Sequence, residues 1–320
     1  MAEIGQDLHK AKLLLEAGEL VGLPTETVYG LAGNAYNEDA VAKIFETKDR
    51  PSFDPLIVHS ASMDQVVQYT GSINEDLLKL AEKFWPGPLT LLLNKKHIIP
   101  DLVTSGLDLV AVRIPRHPLA MELLLDLDFP LAAPSANPFG YISPTKAIHV
   151  QDKLGDKIRY ILDGGNCEVG LESTIVGIEE GQTIIYRLGG TEVSAIEKIV
   201  GKVLILPQSS SNPKSPGMLK SHYAPKTPFI LGNVEELAER YTSSGLKFGV
   251  LSFEKDYAYL NPSENTILSK TRDFGEAAKN LFAAMRYLDQ TGVSVILAEE
   301  LPEEHFGKAI NDRLRRAAAK

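Results

Sequence analysis

The chain of 320 residues is long enough for about two domains, and its 44% apolar and 23% charged residues are typical of a folded globular protein. Its 33 Lys and Arg stand against 42 Asp and Glu, and the net charge of −9 disfavours a surface that binds nucleic acid as a whole. The single cysteine excludes an internal disulfide. With no membrane-length apolar run and no signal-peptide pattern at its start, we expect a cytoplasmic protein with no membrane partner.

The first fifty residues predict two helices with a strand between them. The first helical stripe consists of Ile4, Leu8, Ala11 and Leu15. Gly18 would end this helix, and a short strand follows at 19–23. The second stripe consists of Val41, Ile44 and Phe45. Lys48 follows on the same face one turn later, so the second helix would end in a cation.

Buried apolar runs dominate the next part of the chain and predict strands at 89–93, 109–114, 129–133 and 158–162. Two further runs flank Glu179-Glu180-Gly181 and predict a hairpin. A three-residue loop there would pair Ile178 with Gln182 and place Ser173 opposite Arg187. These two side chains would then face one pocket or form a surface pair. Helices, buried strands and a hairpin together are typical of an α/β domain with a mixed sheet.

Residues 207–226 separate this part from the rest of the chain, because four prolines lie there among Ser and Asn. The segment has no Asp or Glu, whereas it has four basic residues, namely Lys214, Lys220, His222 and Lys226. It is either a solvated tether or a segment that faces an anion. Strand-like and helix-like segments then alternate, which predicts a small three-layer, Rossmann-like unit. We therefore expect one domain at 1–206, a linker at 207–226 and a second domain at 227–320.

Common motifs for phosphate binding and hydrolysis are missing from the chain, including the P-loop, the dinucleotide fingerprint, HExxH and GxSxG. Less common polar clusters are therefore the candidates. Residues 24–31 follow a strand, where open α/β sheets bind ligands, or they form a turn with local caps. Lys48 and Arg50 would clamp phosphates or stabilise a helix end. His59 ends an apolar run and is either structural or functional.

Arg113 is the only charge on an apolar strand in which Leu109, Ala111 and Arg113 would share one face. A buried arginine is costly unless an anion pairs with it, so we expect either an internal acid or a ligand carboxylate beside it. Small residues at 132–137 would let a ligand approach the backbone. Ser143 before Pro144 is either a further polar contact or a helix cap.

Together these segments resemble the YrdC-like family of threonylcarbamoyl-AMP synthases. In order from residue 24 to residue 189 they are PTETVYGL, KDR, PLIVH, WPGPLT, VAVRIP, APSAN, SPT, GLESTIV and the arginine of YRLG. SPGM and HYAP before a small α/β unit resemble the two-domain form, so the resemblance covers essentially the whole chain. It implies a twisted, open mixed sheet that lines a large concave cavity, with a smaller Rossmann-like domain.

The resemblance implies a nucleotidyltransferase that condenses L-threonine, bicarbonate and ATP into L-threonylcarbamoyladenylate and releases pyrophosphate. Its product would feed threonylcarbamoyladenosine formation next to the tRNA anticodon, through a downstream tRNA threonylcarbamoyl transferase. Mg²⁺ would accompany the ATP, and no metal ligands from the protein are expected. Weak direct contact with tRNA stays open.

The site residues are those that match the family's motifs. Threonine would be surrounded by Thr27, His59, Arg113, Ala133 and Ser173. ATP or the adenylate would be held by Lys48, Arg50, Ser135, Asn137, Ser143 and Arg187. Lys48 and Arg50 would also stabilise charge during the reaction. Three ATP-binding positions depart from the family's pattern. Asp54 stands where the family can have an asparagine, Leu109 where it can have a threonine, and Lys220 where it can have a tyrosine. An Asp facing phosphate would repel it, so we expect Asp54 to contact base, ribose or metal.

Two other classes of protein stay open at this point. One is an RNA-binding protein, which the net charge of −9 disfavours. The other is a carbamoyl transferase that forms carbamoyl-adenylate from carbamoyl phosphate, which the lack of zinc-finger cysteines disfavours. For the family enzyme, the basic linker at 207–226 would act as a lid over the occupied cavity.

Overall fold

The computed structural model describes residues 1–206 and 222–319, which form two compact units. The first unit holds Met1–Phe139, Pro144–Glu168 and 172–206; the second holds Gly140–Ser143, Val169–Leu171 and 222–319. Two short segments from before the linker therefore pack with the C-terminal part, which composition alone did not predict. Most of the linker expected to act as a lid lies outside the described residues.

A mixed sheet forms the centre of the first unit. Its strands are β1 Glu3–Gly5, β2 Val21–Leu23, β3 Gly30–Asn34, β4 Ile57–His59, β5 Leu89–Asn94, β6 Leu109–Arg113, β7 Leu131–Ala132, β8 Tyr160–Leu162, β9 Thr174–Glu179, β10 Gln182–Arg187 and β11 Leu204–Ile205. They lie in the order β1-β8-β2-β3-β7-β4-β6-β5-β9-β10-β11. The β4–β6 and β5–β9 pairs are parallel, whereas β4–β7, β5–β6 and β9–β10 are antiparallel. The predicted mixed sheet is confirmed.

The helices of the first unit are α1 Leu8–Glu16, α2 Glu38–Lys48, α3 Met63–Tyr69, α4 Glu75–Phe84, α5 Asp101–Thr104, α6 Pro118–Leu125, α7 Ala147–Leu154 and α8 Val193–Val200. The Asp7 side chain caps α1 by accepting from the Lys10 backbone N–H. Ile4, which the helical stripe included, therefore lies before the helix, in β1. Asn37 caps α2, which ends at Lys48 as expected.

The strand at 109–114 separates two apolar clusters. Val110, Val112 and Ile114 belong to the main core. Ala111 lies in a smaller cluster with Leu109 at its margin, together with Ile57, Leu92, Ile175, Ile184 and Tyr186. The predicted alternation of faces is confirmed. Because side chains alternate along a strand, His59, Thr90, Arg113 and Ser173 belong to the same face as the smaller cluster.

The predicted hairpin is present, but its register differs from the expected one. The turn has two residues, Glu180 and Gly181, both with positive φ, and Glu179 pairs with Gln182. Two residues of positive φ match the twist of the flanking strands, whereas the expected three-residue loop required Glu179 to leave the ladder. A register shift before Arg187 then places this residue opposite Ile175.

The second unit contains β12 Phe229–Leu231, α9 Val234–Ser243, β13 Phe248–Ser252, β14 Glu264–Ile267, α10 Phe274–Gln290, β15 Val295–Ala298 and α11 Gly307–Ala318. All its strand pairs are parallel, in the order β12-β15-β13-β14. The predicted parallel α/β unit is confirmed. Its last strand lies between its first two, whereas the Rossmann order places the first and second strands side by side. Within the described ranges, no helix is long and apolar enough to cross a membrane.

Candidate functional site

A line of polar side chains continues the smaller apolar cluster along the same face of the sheet. We call it the polar row; it consists of His59, Thr90, Arg113, Ser173 and Arg187. His59 and Arg113 are direct neighbours across β4 and β6. The Ser173 and Thr90 hydroxyls lie 2.7 Å apart, and Arg187 donates to Ser173. The fold thus gathers side chains from five segments that are far apart in the sequence.

Arg113 lies at the centre of this row and is only 3% exposed. Its Nε donates to the Gly87 carbonyl at 3.1 Å and its Nη1 donates to the Thr27 hydroxyl at 2.8 Å. Nη2 lies 2.7 Å from Oε1 of Glu26, so the expected internal acid is present. Nη2 nevertheless donates no hydrogen bond to any described residue. Glu26 therefore pairs with Nη2 by charge, without hydrogen-bond alignment.

The segment at 24–31 combines the two interpretations that the sequence left open. The Thr25 hydroxyl donates to the Val28 carbonyl at 2.7 Å and accepts from the Thr27 and Val28 backbone N–H groups, so it caps the turn locally. The Thr27 hydroxyl hydrogen-bonds with the Thr25 hydroxyl at 2.8 Å and also accepts from Arg113. One threonine thus shapes the turn and the next one contributes to the site.

His59 is buried, and burial lowers its pKa to about 3; the nearby charge of Arg113 adds to this shift. The carbonyl groups of Ile57 and Leu131 oppose the shift but do not reverse it. At neutral pH the imidazole is therefore uncharged. It can donate or accept a hydrogen bond next to Arg113 without adding a second positive charge.

The expected proximity of Ser173 and Arg187 is confirmed, although the register that predicted it was wrong. Nε and Nη2 of Arg187 donate to the Ser173 carbonyl at 3.0 and 2.9 Å, and Nη2 also reaches the Ser173 hydroxyl at 3.0 Å. The long guanidinium side chain spans the offset that the register shift creates. Arg187, expected beside ATP, thus lies at the Ser173 end of the polar row.

A second group of expected site residues surrounds the end of α2. The Lys48 ammonium is 1% exposed and donates to the carbonyls of Ser135 and Asn137, at 2.6 and 2.5 Å. Burial lowers the Lys48 pKa well below its ordinary value, and the charge of Arg50 contributes, while Asp54 opposes the shift. Lys48 therefore joins the helix end to the segment at 135–137, which holds two further expected ATP contacts.

Asp54 is buried and pairs with Arg50 rather than standing alone beside a phosphate. Nη2 of Arg50 lies 2.9 Å from Oδ2 of Asp54, and the same guanidinium donates to the carbonyls of Asp54 and Pro55. The ion pair fixes the direction of Arg50 and offsets the charge of Asp54. An aspartate at this position is thereby compatible with a nearby anion.

The other expected residues lie in different surroundings. The Ala133 N–H donates to the Ile57 carbonyl, and a Cβ added to Gly30 would lie 3.1 Å from the Ala133 Cβ, so small residues allow close packing here. Leu109 packs at the margin of the smaller apolar cluster. Ser143 belongs to the second unit and does not cap a helix, because α7 begins only at Ala147. Lys220 lies outside the described residues.

Sequence reasoning missed two contributors to this site, Glu26 and Thr90. The signal for Glu26 was present, since a buried arginine requires an acid and Glu26 is the acid within PTETVYGL. Thr90 gave a weaker signal, a hydroxyl at the start of an apolar strand. Across residues 1–206 and 222–319, no group of three His, Cys, Asp or Glu side chains could hold a metal ion.

Comparisons with known proteins agree with this architecture. The family model described as "Telomere recombination" matches residues 13–189, and the one described as "Threonylcarbamoyl-AMP synthase, C-terminal domain" matches residues 191–319. Escherichia coli YciO shares the fold over 61% of this chain and all of its own, with a TM-score of 0.55 at 17% identity. The first unit therefore has the α/β fold of the Sua5, YciO and YrdC proteins.

Two curated relatives match nearly the whole chain. The threonylcarbamoyl-AMP synthase of Pyrococcus abyssi is 42% identical over 95% of this chain and 92% of its own length. That of Bacillus subtilis is 39% identical over 97% and 92%. The crystal structure of P. abyssi Sua5 complexed with L-threonine has a TM-score of 0.93 at 39% identity and covers 99% of this chain and 97% of its own. The chain belongs to the two-domain threonylcarbamoyl-AMP synthase family.

Proposed function

We propose that the protein is a nucleotidyltransferase that condenses L-threonine, bicarbonate and ATP into L-threonylcarbamoyladenylate and pyrophosphate. Its family membership supports the reaction. The observation that carries the proposal is Arg113, a buried guanidinium whose Nη2 donates no hydrogen bond to a described residue. Its neighbours are the Glu26 carboxylate, the Thr27 hydroxyl and the neutral imidazole of His59. Such surroundings suit a small polar molecule that carries a carboxylate.

Threonine would bind along the polar row. Its carboxylate would accept from Nη2 of Arg113, and its hydroxyl would bond with Thr27 and Ser173. Ala133, small and apolar, would seat the methyl group. His59, neutral in these surroundings, would donate a hydrogen bond without competing for the carboxylate as a second cation.

ATP would bind near the end of α2. Lys48 and Arg50 would contact its phosphates, with Ser135, Asn137, Ser143 and Arg187 as further contacts; Asp54, Leu109 and Lys220 complete the positions carried over from the family. Lys48 would exchange its two carbonyl partners for phosphate oxygens, which hold an ammonium more strongly because they are charged. Arg50, held by Asp54, would keep its direction throughout.

The chemistry would proceed in two steps. The threonine amine adds bicarbonate and loses water to give a carbamate; a carbamate oxygen then attacks the α-phosphorus of ATP, and pyrophosphate leaves. The carbamate is already an anionic nucleophile, so the uncharged His59 need not act as a strong base. Catalysis would rest on positioning and on charge stabilisation by Lys48 and Arg50. ATP would arrive as its magnesium complex, because Mg²⁺ neutralises part of the phosphate charge.

The product would pass to a downstream tRNA threonylcarbamoyl transferase, in the cytoplasm, for threonylcarbamoyladenosine formation next to the anticodon. A labile mixed anhydride needs prompt transfer, and weak direct contact with tRNA would assist it.

The test is to incubate the protein with ATP, Mg²⁺, bicarbonate and each amino acid in turn, and to measure pyrophosphate. We expect release with threonine and weaker release with serine. No release with any amino acid would contradict the proposal and favour the RNA-binding alternative. Turnover only when carbamoyl phosphate replaces threonine and bicarbonate would favour a carbamoyl transferase.

A further inference from the structure

We infer that Glu26 is a positioning residue for threonine recognition, because it holds Arg113 by charge while leaving the Nη2 hydrogen-bond donors available to the substrate carboxylate. The inference rests on the proposed function, which assigns no role to this acid.

The geometry of the pair is unusual for an ion pair of this length. Nη2 of Arg113 and Oε1 of Glu26 are 2.7 Å apart, yet neither atom makes a hydrogen bond with a described residue. The guanidinium is planar and its N–H directions are fixed, so the two N–H groups of Nη2 cannot both point at one carboxylate oxygen. The attraction therefore fixes where Nη2 lies, while at least one of its N–H groups can donate to another acceptor.

Glu26 is itself held firmly. Its second oxygen, Oε2, accepts from the Arg116 backbone N–H at 3.1 Å, and the residue is 1% exposed. The turn that carries it is fixed by the hydrogen bonds of Thr25 to Thr27 and Val28. The carboxylate is therefore a fixed point, and the other two anchors of Arg113 are Gly87 and Thr27.

Charge gives a second reason for an acid at this position. A guanidinium buried without a counter-charge is strongly destabilising, so an empty site would otherwise favour displacement of Arg113. Glu26 offsets that charge before threonine arrives. The guanidinium then need not reorganise on binding, and a preorganised donor binds its ligand more tightly.

The test compares Glu26→Gln with the wild type in the full chain. Glutamine keeps the shape and removes the charge. We expect threonine to bind roughly 10- to 100-fold more weakly, by analogy with the loss found when a residue that orients a metal ligand is replaced. ATP affinity should change less than twofold. Glu19→Gln is the matched control, because Glu19 pairs with Lys43 at 3.2 Å outside the polar row. Binding is read by NMR titration, which reaches millimolar dissociation constants.

A double-mutant cycle separates positioning from general stabilisation. If Glu26 acts through Arg113, Glu26→Gln should have little further effect on threonine affinity once Arg113 is lysine. Additive losses would overturn the inference, as would wild-type threonine affinity in Glu26→Gln. An equal loss of threonine and ATP affinity with a lowered melting temperature would also overturn it, since that describes a structural role. Glu26→Asp, which keeps the charge, should recover part of the affinity if Glu26→Gln folds poorly.

The outcome can be told apart from that of the proposed function. A wild-type protein that binds threonine but forms no adenylate would refute the proposed reaction and leave the role of Glu26 standing. A wild type that forms the adenylate, together with an unaffected Glu26→Gln variant, would refute the role of Glu26 alone.

Discussion

Arg113 in the first unit and Arg286 in the second are both buried arginines, but they differ in what holds them. Arg113 is held by a hydroxyl, a carboxylate and one backbone carbonyl. Nε and Nη2 of Arg286 donate to the backbone carbonyls of Ser143 and Ile142, and its guanidinium lies 5.0 Å from the centre of the Tyr141 ring.

The difference separates a binding arginine from a structural one. The partners of Arg286 are backbone carbonyls, which a ligand does not replace. Arg286 therefore holds the segment at 140–143 in place. Arg113 keeps an Nη2 that donates no hydrogen bond to any residue the structure describes, in a row of side chains that can bond a small molecule. Burial alone would assign the two arginines the same role. Their hydrogen-bond partners show that the roles differ.

The largest effect that this contrast predicts is on threonine binding in Arg113→Lys. Lysine cannot reproduce the guanidinium fork, so we expect threonine affinity to fall roughly 100-fold, while ATP affinity falls less. Calorimetric titration of each ligand measures this. Unchanged threonine binding would contradict the assigned role of Arg113.

The second prediction concerns the substrate that Arg113 and its neighbours select. One methyl group in a small apolar pocket is worth roughly 1–3 kcal/mol, so serine should react about 10- to 200-fold less well than threonine in kcat/KM. Pyrophosphate release at equal concentrations of the two amino acids measures the ratio. Equal turnover would contradict the assignment of Ala133, Thr27 and Ser173 to the pocket that selects threonine.

The third prediction tests the structural arginine. Arg286→Met removes the donors of two backbone carbonyls and should lower the free energy of unfolding by about 2 kcal/mol, with threonine affinity unchanged. Urea denaturation and threonine titration measure the two quantities. Arg272→Met is the control, because Arg272 is exposed in its unit and its loss should cost less than about 0.5 kcal/mol. A loss of threonine affinity in Arg286→Met would remove the contrast between the two arginines.

The last predicted effect is a pH dependence of the free energy of unfolding, which arises from His59 next to Arg113. His59 has a folded pKa of about 3 against an ordinary 6.5, so the unfolded chain binds its proton more readily. The contribution of His59 to the free energy of unfolding is therefore complete above pH 6.5 and decreases as the pH falls toward 3. Relative to His59→Gln, the wild type should lose about 2 kcal/mol between pH 8 and pH 5.

Denaturation of both proteins at the two pH values measures this difference. His97→Gln, which alters an exposed histidine, is the control and should show no such change relative to the wild type. A difference between the wild type and His59→Gln that stays constant with pH would mean that His59 is not held neutral next to Arg113.

Much of the fold followed from patterns in the sequence. The alternation at 109–114 placed Arg113 on the correct face, and the helical stripe ending at Lys48 placed that lysine where α2 ends. Ile4 was misassigned, because a helical stripe does not show where a helix begins; the cap at Asp7 does. The hairpin register was wrong because Glu180 adopts a positive φ that is uncommon for a residue other than glycine.

Less of the candidate site than of the fold could be predicted from the sequence. The polar row depends on which strands lie side by side, and the neighbouring pairs β4–β6 and β5–β9 are not consecutive in the chain. The pairing of Arg113 with Glu26 was one of two outcomes that the sequence allowed, and only the fold decides between them. Arg286 gave no signal, since an arginine on a partly apolar helix is ordinarily exposed.

Threonine bound along the polar row and ATP bound at the end of α2 should together give an adenylate that carries the carbon of bicarbonate. The most direct measurement is to supply ¹³C-bicarbonate, threonine and ATP with Mg²⁺, and to follow the label by mass spectrometry in the wild type and in Arg113→Lys. We expect labelled threonylcarbamoyl-AMP from the wild type, with at least tenfold less from the variant at subsaturating threonine. A wild type that forms no labelled adenylate, or a variant that forms as much as the wild type, would contradict it.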